Sequence, residues 1–340
     1  MSKGSKSNTT LGCHCECTNS VDENTRLIPS SCFDEIMEIL ESELLKLVHP
    51  SSDLKLSSSA LEVGTITNLV QSSETMNTIR DEIWCVGIFG SHVYGLARED
   101  SDLDLFVIIS NDLGDQIEEK QHSSNESLGK KEDYTYQFSA SLSVGNVAPL
   151  NKNMDFTIYS EKLFKKLMQE YVLCAMEFVS ILTREDLSKF VLLLKQNVNL
   201  EIQTPMSSIS NQQENYLTQA KQLLRKSISY ETDHSFVKAK NKITKERNIE
   251  KAMKALFHAF RTVVFGVQIA KFGLITDFAE ANHYQSEIHK TFNSSCVQSL
   301  LLKSEEMGAY DKVWEIFKKE FKSKLNQLQS IFRKTLMDVK

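Results

Sequence analysis

At 340 residues, with 41% hydrophobic and 25% charged side chains, the chain can bury a sizeable core and carries one large or two modest domains. A net charge of −6 argues against a surface that binds nucleic acid indiscriminately, and no apolar run reaches the length of a membrane span. Four prolines and 12 glycines favour long helices over a turn-dense all-β build. Seven scattered cysteines fit a reducing compartment, the cytoplasm by default with the nucleus not excluded.

Residues 1–27 are rich in Ser, Asn, Thr and charge, and are expected to form a disordered tail without the apolar stretch of a signal peptide. Within it Cys13, His14, Cys15 and Cys17 are spaced too tightly to close a tetrahedral zinc site, so a metal knuckle is not expected there. From Ile28 to Val48, Phe33, Ile36, Met37, Leu40, Leu44, Leu45 and Val48 recur mostly at three- and four-residue intervals, which predicts an amphipathic helix begun by Ser30 or Ser31. Residues 50–65 are Ser-rich and loop-like, and a second helix is expected before Asp81. Trp84 to Phe89 reads as a buried strand stopped by Gly90 and Ser91, His92 to Ala97 as a helical turn, and Leu103 to Ile109 as a second strand. The segment 111–149 is polar and charged, a surface insertion with one strand around Tyr134 to Phe138, before a third core strand from Met154 to Tyr159.

Beyond residue 160 the periodicity turns helical. Leu163, Leu167, Tyr171 and Leu173 begin it, and Leu187, Phe190, Val191 and Leu194 continue it. Ala252 to Phe272 and Asp311 to Met337 then carry broad apolar faces. The pattern predicts an α+β protein: a small mixed-sheet core with flanking helices over 28–160, interrupted by the insertion at 111–149, then a helical domain over 161–340.

The chemistry concentrates around Gly90-Ser91 and Asp102-Leu103-Asp104. Residues two apart on a strand point to the same face, so Asp102 and Asp104 would present paired carboxylates at one spot. Their repulsion is costly unless a cation lies between them, and hard ions such as Mg²⁺ or Mn²⁺ favour such all-oxygen surroundings. Asp155, on a neighbouring strand, would supply a third carboxylate, and three can hold two metals. Gly90 would let the backbone approach phosphates closely, with Ser91 and the helix N-terminus behind it donating hydrogen bonds. Gly-Ser or Asp-x-Asp alone is common and is often just a solvated cap. Together, in strand–turn–helix–strand order and followed by Asp155 in a third strand, they point to an active site.

The run from Gly90 through His92, Tyr94 and Gly95 to Ser101-Asp102-Leu103-Asp104-Leu105 resembles the signature of the nucleotidyltransferase superfamily typified by DNA polymerase beta. Met154 to Tyr159 leading into Phe164 to Leu167, and the segment from Lys254 to Gly273 with His258 and Arg261, resemble one branch of it, the RNA-repair-pathway polymerase-beta-like proteins. The resemblance implies a Mg²⁺-dependent transferase that uses an NTP, with Asp102, Asp104 and Asp155 as metal ligands, and it leaves the acceptor open.

Further candidates lie in the helical half. From Lys238 to Lys254 there are seven Lys or Arg against two Glu. Lys238 and Lys242 share a helical face that could meet the phosphates of an NTP or an RNA, or simply meet water beside Glu246 and Glu250. Arg261 could hold a triphosphate with His258 beside it, although a lone His is more commonly buried in packing. Three functions remain open on the sequence: nucleotidyl transfer to an RNA end, transfer to a protein or small molecule, and a catalytically silent nucleotide-binding module. Intact Asp102, Asp104 and Asp155 argue against the last.

Overall fold

A computed structural model describes residues 28, 30–48, 79–124, 140–147, 152–195, 214–303 and 308–339. The Cys13–Cys17 segment, the strand expected at Tyr134 to Phe138 and most of the helix expected before Asp81 lie outside them. The described residues form a five-stranded sheet backed by helices, with a helical bundle built from the later part of the chain.

In chain order, helix α1 (Ser30–Val48) precedes β1 (Ile83–Ile88) and β2 (Leu103–Ile109). Then come α2 (Asn111–Ser124), β3 (Ala140–Val147) and β4 (Lys152–Ser160). Strand order is β3-β4-β2-β1, closed by a short fifth strand, β5 (Val191–Leu194). Only β2 and β4 run parallel. Both are interior strands, and β2 is buried almost throughout, which is why it reads as a near-continuous apolar run.

Helix α3 (Glu161–Gln169) starts where Ser160 Oγ accepts from the Leu163 amide, and α4 (Leu173–Thr183) follows after a tight turn. Helix α4 lays Phe178 flat on Phe106 of β2, ring centroids 4.0 Å apart. The approach requires glycine at position 87 of β1, where a Cβ would lie 2.4 Å from the Phe178 ring.

The structure corrects the helical reading of Leu187 to Leu194. Residues Glu185–Phe190 form a 3₁₀ turn, and Val191 to Leu194 pair with β1 (Cys85↔Leu194, Val86↔Leu193). Apolar residues three and four apart mimic a helix, but only four residues remain after the turn, and the open edge of β1 supplies their hydrogen bonds. The sheet thus reaches Leu194, beyond the boundary at residue 160 that periodicity suggests. Within the polar insertion, α2 buries Leu113 and Ile117 and β3 pairs along β4, so both ends of that segment belong to the core.

The bundle comprises α5 (Glu214–Thr244), α6 (Ile249–Phe272), α7 (Asn282–Phe292), α8 (Ser295–Leu302) and α9 (Ala309–Asp338). Helix α6 is its axis. Asn248 caps its start by accepting from the Lys251 amide, and Gly273, in the left-handed region at φ 77°, ends it. Fifteen of its 24 residues are buried, so it is apolar nearly all round. Arg184 donates to the carbonyls of Ile275 and Thr276, and Ser180 Oγ accepts from the Ile275 amide, which ties α4 to the segment after α6. Among the described residues no helix is long and apolar enough to cross a membrane, and Cys32, Cys85, Cys174 and Cys296 are free thiols.

Candidate active site

The site begins with strand register. Asp104 of β2 lies opposite Asp155 of β4 in a parallel ladder, so the two carboxylates project from the same face of the sheet. Neither neighbour along β2 is polar: Leu103 and Leu105 are buried on the other face. Asp104 is itself half-buried, and burial pushes its carboxyl up to about 6. The charges of Asp155 and Asp102 push the same way, and the guanidinium of Arg261 pulls back. Asp102 precedes the strand and is exposed, with its Oδ1 accepting from Asn153 Nδ2 at 3.0 Å. Asp104 and Asp155 are therefore the inner pair, and Asp102 stands on the rim.

Gly90 packs directly against Asp104. Its φ is +73°, and a Cβ there would lie 2.1 Å from Asp104 Oδ2. The Phe89 amide donates to the Asp104 carbonyl at 3.0 Å, so loop and strand are joined at the point of contact. We expect Gly90→Ala to lose about 1–3 kcal/mol in denaturant titrations, from the left-handed backbone and the displaced carboxylate. A variant as stable as the parent would mean that the loop readily adopts another conformation.

Ser91 is half-buried beside Gly90 in a short 3₁₀ turn, Gly90–His92. The turn does not extend into the helical segment expected to Ala97; Gly95 enters the left-handed region and Leu96 folds back to bond the Ser91 carbonyl. His92 hydrogen-bonds the Asp102 backbone, and its Nε2 is buried without a partner. Burial, then the Lys152 charge, holds its imidazole below the usual histidine range.

Arg261 comes to the same place from the middle of α6. Its guanidinium lies 3.9 Å from the centroid of the Tyr94 ring, and its Nε is buried with no hydrogen-bond partner. Its charge acts on Asp104 and on Glu177 of α4. Glu177 is buried and accepts from Tyr94 Oη at 3.1 Å; burial pushes its carboxyl up, while Arg261 and then the Tyr94 hydrogen bond hold it down. Tyr94 also packs on Phe265 and Phe278, and its carbonyl accepts from Asn282 Nδ2 at 2.9 Å. The loop after Gly90 is thus held by the bundle as firmly as by the sheet.

The basic face divides. Lys238, on α5, lies near Glu231 and His258: burial pushes the Glu231 carboxyl up and the charges of His234 and Lys238 pull it back, while Lys238 adds to the downward shift of His258. Lys242, one turn on, is committed to Glu246 at 2.5 Å. His258 shares a hydrogen bond with Ser235 Oγ at 3.0 Å, and burial, followed by the charges of Arg261, Lys238 and His234, pushes it down to about 3. It is a neutral packing histidine at ordinary pH.

The pH consequence of His258 has a definite sign. Its folded pKa lies below the ordinary 6.5, so unfolding takes up a proton, and stability is lost as pH falls from about 6.5 towards 3. One such group contributes a slope of at most about 1.4 kcal/mol per pH unit. We expect His258→Gln to flatten the stability profile by that amount across this window in urea titrations. An unchanged slope would mean that the ring reaches water.

Tyr94, Glu177 and Asn153 have no signal of their own in the sequence; Tyr94 lay inside the motif without an evident task. Among the described residues, no three His, Cys, Asp or Glu side chains stand close enough to enclose a metal ion by themselves. That is compatible with Mg²⁺, which is commonly held through one or two carboxylates together with substrate phosphates and water. The Asp104–Asp155 pair is a donor set of that kind, half-buried and mutually repelling.

Residues 76–173 match the family model of the nucleotidyltransferase domain. No curated protein matches the chain. The nucleotidyltransferase match spans β1 to the start of α4 and contains Gly90, Ser91 and all three aspartates, and it supports nucleotidyl transfer as the class of reaction. Arg261 and Lys238 lie outside the matched segment.

Proposed function

We propose that this protein transfers a nucleotidyl group from an NTP to a hydroxyl acceptor, with an RNA end as the acceptor and Mg²⁺ or Mn²⁺ as cofactor. The observation that carries the proposal is the in-register Asp104–Asp155 pair, with Asp104 packed on a glycine whose replacement would displace its carboxylate. In the proposed step the acceptor oxygen bonds to the α-phosphorus, the bond to the β-phosphate oxygen breaks, and pyrophosphate leaves. The hydroxyl proton passes to the carboxylate pair. A divalent cation held by Asp104 and Asp155, joined by Asp102, would neutralise the developing phosphate charge. Gly90 and Ser91 present backbone and hydroxyl donors to the triphosphate. Arg261 offers an unpaired Nε–H and a full positive charge on the bundle side, and Lys238 adds charge further out. Lys242 takes part only if it leaves Glu246.

The resemblance to the RNA-repair branch supports an RNA end over the alternatives, while the acidic net charge favours a small or protein acceptor. Incubation with each labelled NTP and Mg²⁺ or Mn²⁺, with RNA, with a protein extract or with no acceptor, decides among them. The expected result is label on RNA, absent with Asp104→Asn. Label on protein or small molecules only would overturn the RNA reading. NTP binding with no product in any arm would leave a silent module.

A further inference from the structure

A second concentration of positive charge lies away from the carboxylates. Two stretches of this acidic protein contain no Asp or Glu at all: residues 215–230, with Lys221, Arg225 and Lys226, and residues 321–337, with Lys322, Lys324, Arg333 and Lys334. The fold brings them together as the first half of α5 and the second half of α9. Between them runs a groove of about 580 Å³ whose cationic walls are Lys221 and Arg225 on one side and Arg333 and Lys334 on the other. Among the described residues no Asp or Glu lines it. On α5, Lys221 and Arg225 fall four positions apart and share a face; on α9, Arg333 and Lys334 are adjacent, with Leu336 and Met337 completing that wall. Lys221 Nζ donates to the Val339 carbonyl at 2.6 Å, which pins the end of α9 across the groove. Arg225, Arg333 and Lys334 are exposed.

We propose that this groove binds the phosphate backbone of a single-stranded RNA. Cations facing one another across the gap, with hydroxyl and amide groups between them, suit phosphodiesters, and among the described residues no aromatic side chain lines the groove to stack bases. The strand would be gripped regardless of sequence. A polymer is favoured over a free phosphate because α5 continues from Arg225 to Lys238, about 20 Å along its axis at 1.5 Å per residue, where it borders the Arg261 neighbourhood. An extended polyanion can span that distance and a single phosphate cannot. The inference rests on the RNA-end reading of the acceptor. It makes the groove a hold on the body of the strand, separate from the carboxylates that act on its end.

The test is fluorescence anisotropy with a labelled, unstructured oligouridine of about twenty nucleotides, on the full chain, at about 50 and about 200 mM KCl. If the three exposed cations neutralise three phosphates, affinity falls about twentyfold over that range, from a salt slope of roughly 0.7 per phosphate. The triple variant Arg225→Glu/Arg333→Glu/Lys334→Glu changes only exposed positions. It should bind at least tenfold more weakly at low salt, yet keep the thermal shift produced by Mg²⁺ with NTP. Asp104→Asn should bind the oligonucleotide like the parent, so failure of the catalytic reading leaves this measurement standing. Equal binding by parent and triple variant would overturn the proposal. So would full displacement of the RNA by an equal concentration of inorganic pyrophosphate, the mark of a small-phosphate site. Groove-dependent sedimentation with phosphatidylserine vesicles, and no RNA binding, would assign the surface to a membrane instead.

Discussion

Asp104→Asn should melt higher than the parent in metal-free buffer at pH 8 while losing several orders of magnitude in turnover. The two effects share a cause. In the folded protein burial and two neighbouring carboxylates hold Asp104 near 6, against 3.8 for a free aspartate. The ionised form is thus disfavoured by folding. Below about pH 4 both states are protonated and nothing is lost, whereas above about 6 the folded state carries the whole penalty. Two units correspond to at most about 3 kcal/mol, so the gain from Asn should appear between pH 4 and 6 and then level off. Asparagine keeps the shape but supplies neither charge nor a strong ligand oxygen, so stabilisation by Mg²⁺ with NTP should largely vanish. Paired melts with and without Mg²⁺ and NTP check this. A variant that is destabilised without metal yet retains its NTP shift would make Asp104 a structural cap.

Arg261→Met should have the largest effect on folding stability. The guanidinium is the positive charge shared by Asp104 and buried Glu177, and it lies over Tyr94. Glu177 is buried and Arg261 and Asp104 are half-buried, so removing the cation costs at most about 3–5 kcal/mol, the value for a fully buried set, because Glu177 stays desolvated without compensation. Adding Glu177→Gln should restore part of that loss, which a double-mutant cycle would read as a coupling of about 1–3 kcal/mol. NTP affinity should stay low in both variants, since the triphosphate has lost its cation. Loss of stability with NTP affinity intact would confine Arg261 to a structural role; strict additivity in the cycle would separate it from Glu177.

Much of the core could be read from sequence because its signals are local. The β2 run is continuous and apolar, Gly90 stops β1, and aspartates at a spacing of two share a face whatever the rest of the chain does. The Asp104–Asp155 register needed only both strands to be recognised. What escaped depends on partners far away in sequence. Val191 to Leu194 look helical until the edge of β1 is known to be open. Glu177 sits in the middle of an apolar helix, and its burial makes sense only beside Tyr94 and Arg261. Lys238 and Lys242 were indistinguishable as a repeating charge, and one salt bridge to Glu246 separates them. The α5–α9 groove was invisible because its walls lie a hundred positions apart in the chain.

The hydrogen bond from Asn282 to the Tyr94 carbonyl closes 188 positions of chain. Contacts of such separation are entropically late in folding, after the hairpin of β1 and β2 and the local turns of the helices. A growing or partly folded chain will therefore possess its acidic pair well before α6 delivers Arg261. Until then the carboxylates repel one another with no positive charge from the bundle, and the Gly90 loop lacks half of its supports. A fragment limited to residues 76–173 would contain every residue of the recognised motif, yet it would end before β5 and expose Phe106, which Phe178 of α4 covers, and Tyr94, which Phe265 and Arg261 of α6 cover. Such a piece should be prone to aggregation and poor at holding a nucleotide. Completion of the site thus reports that the whole chain has folded.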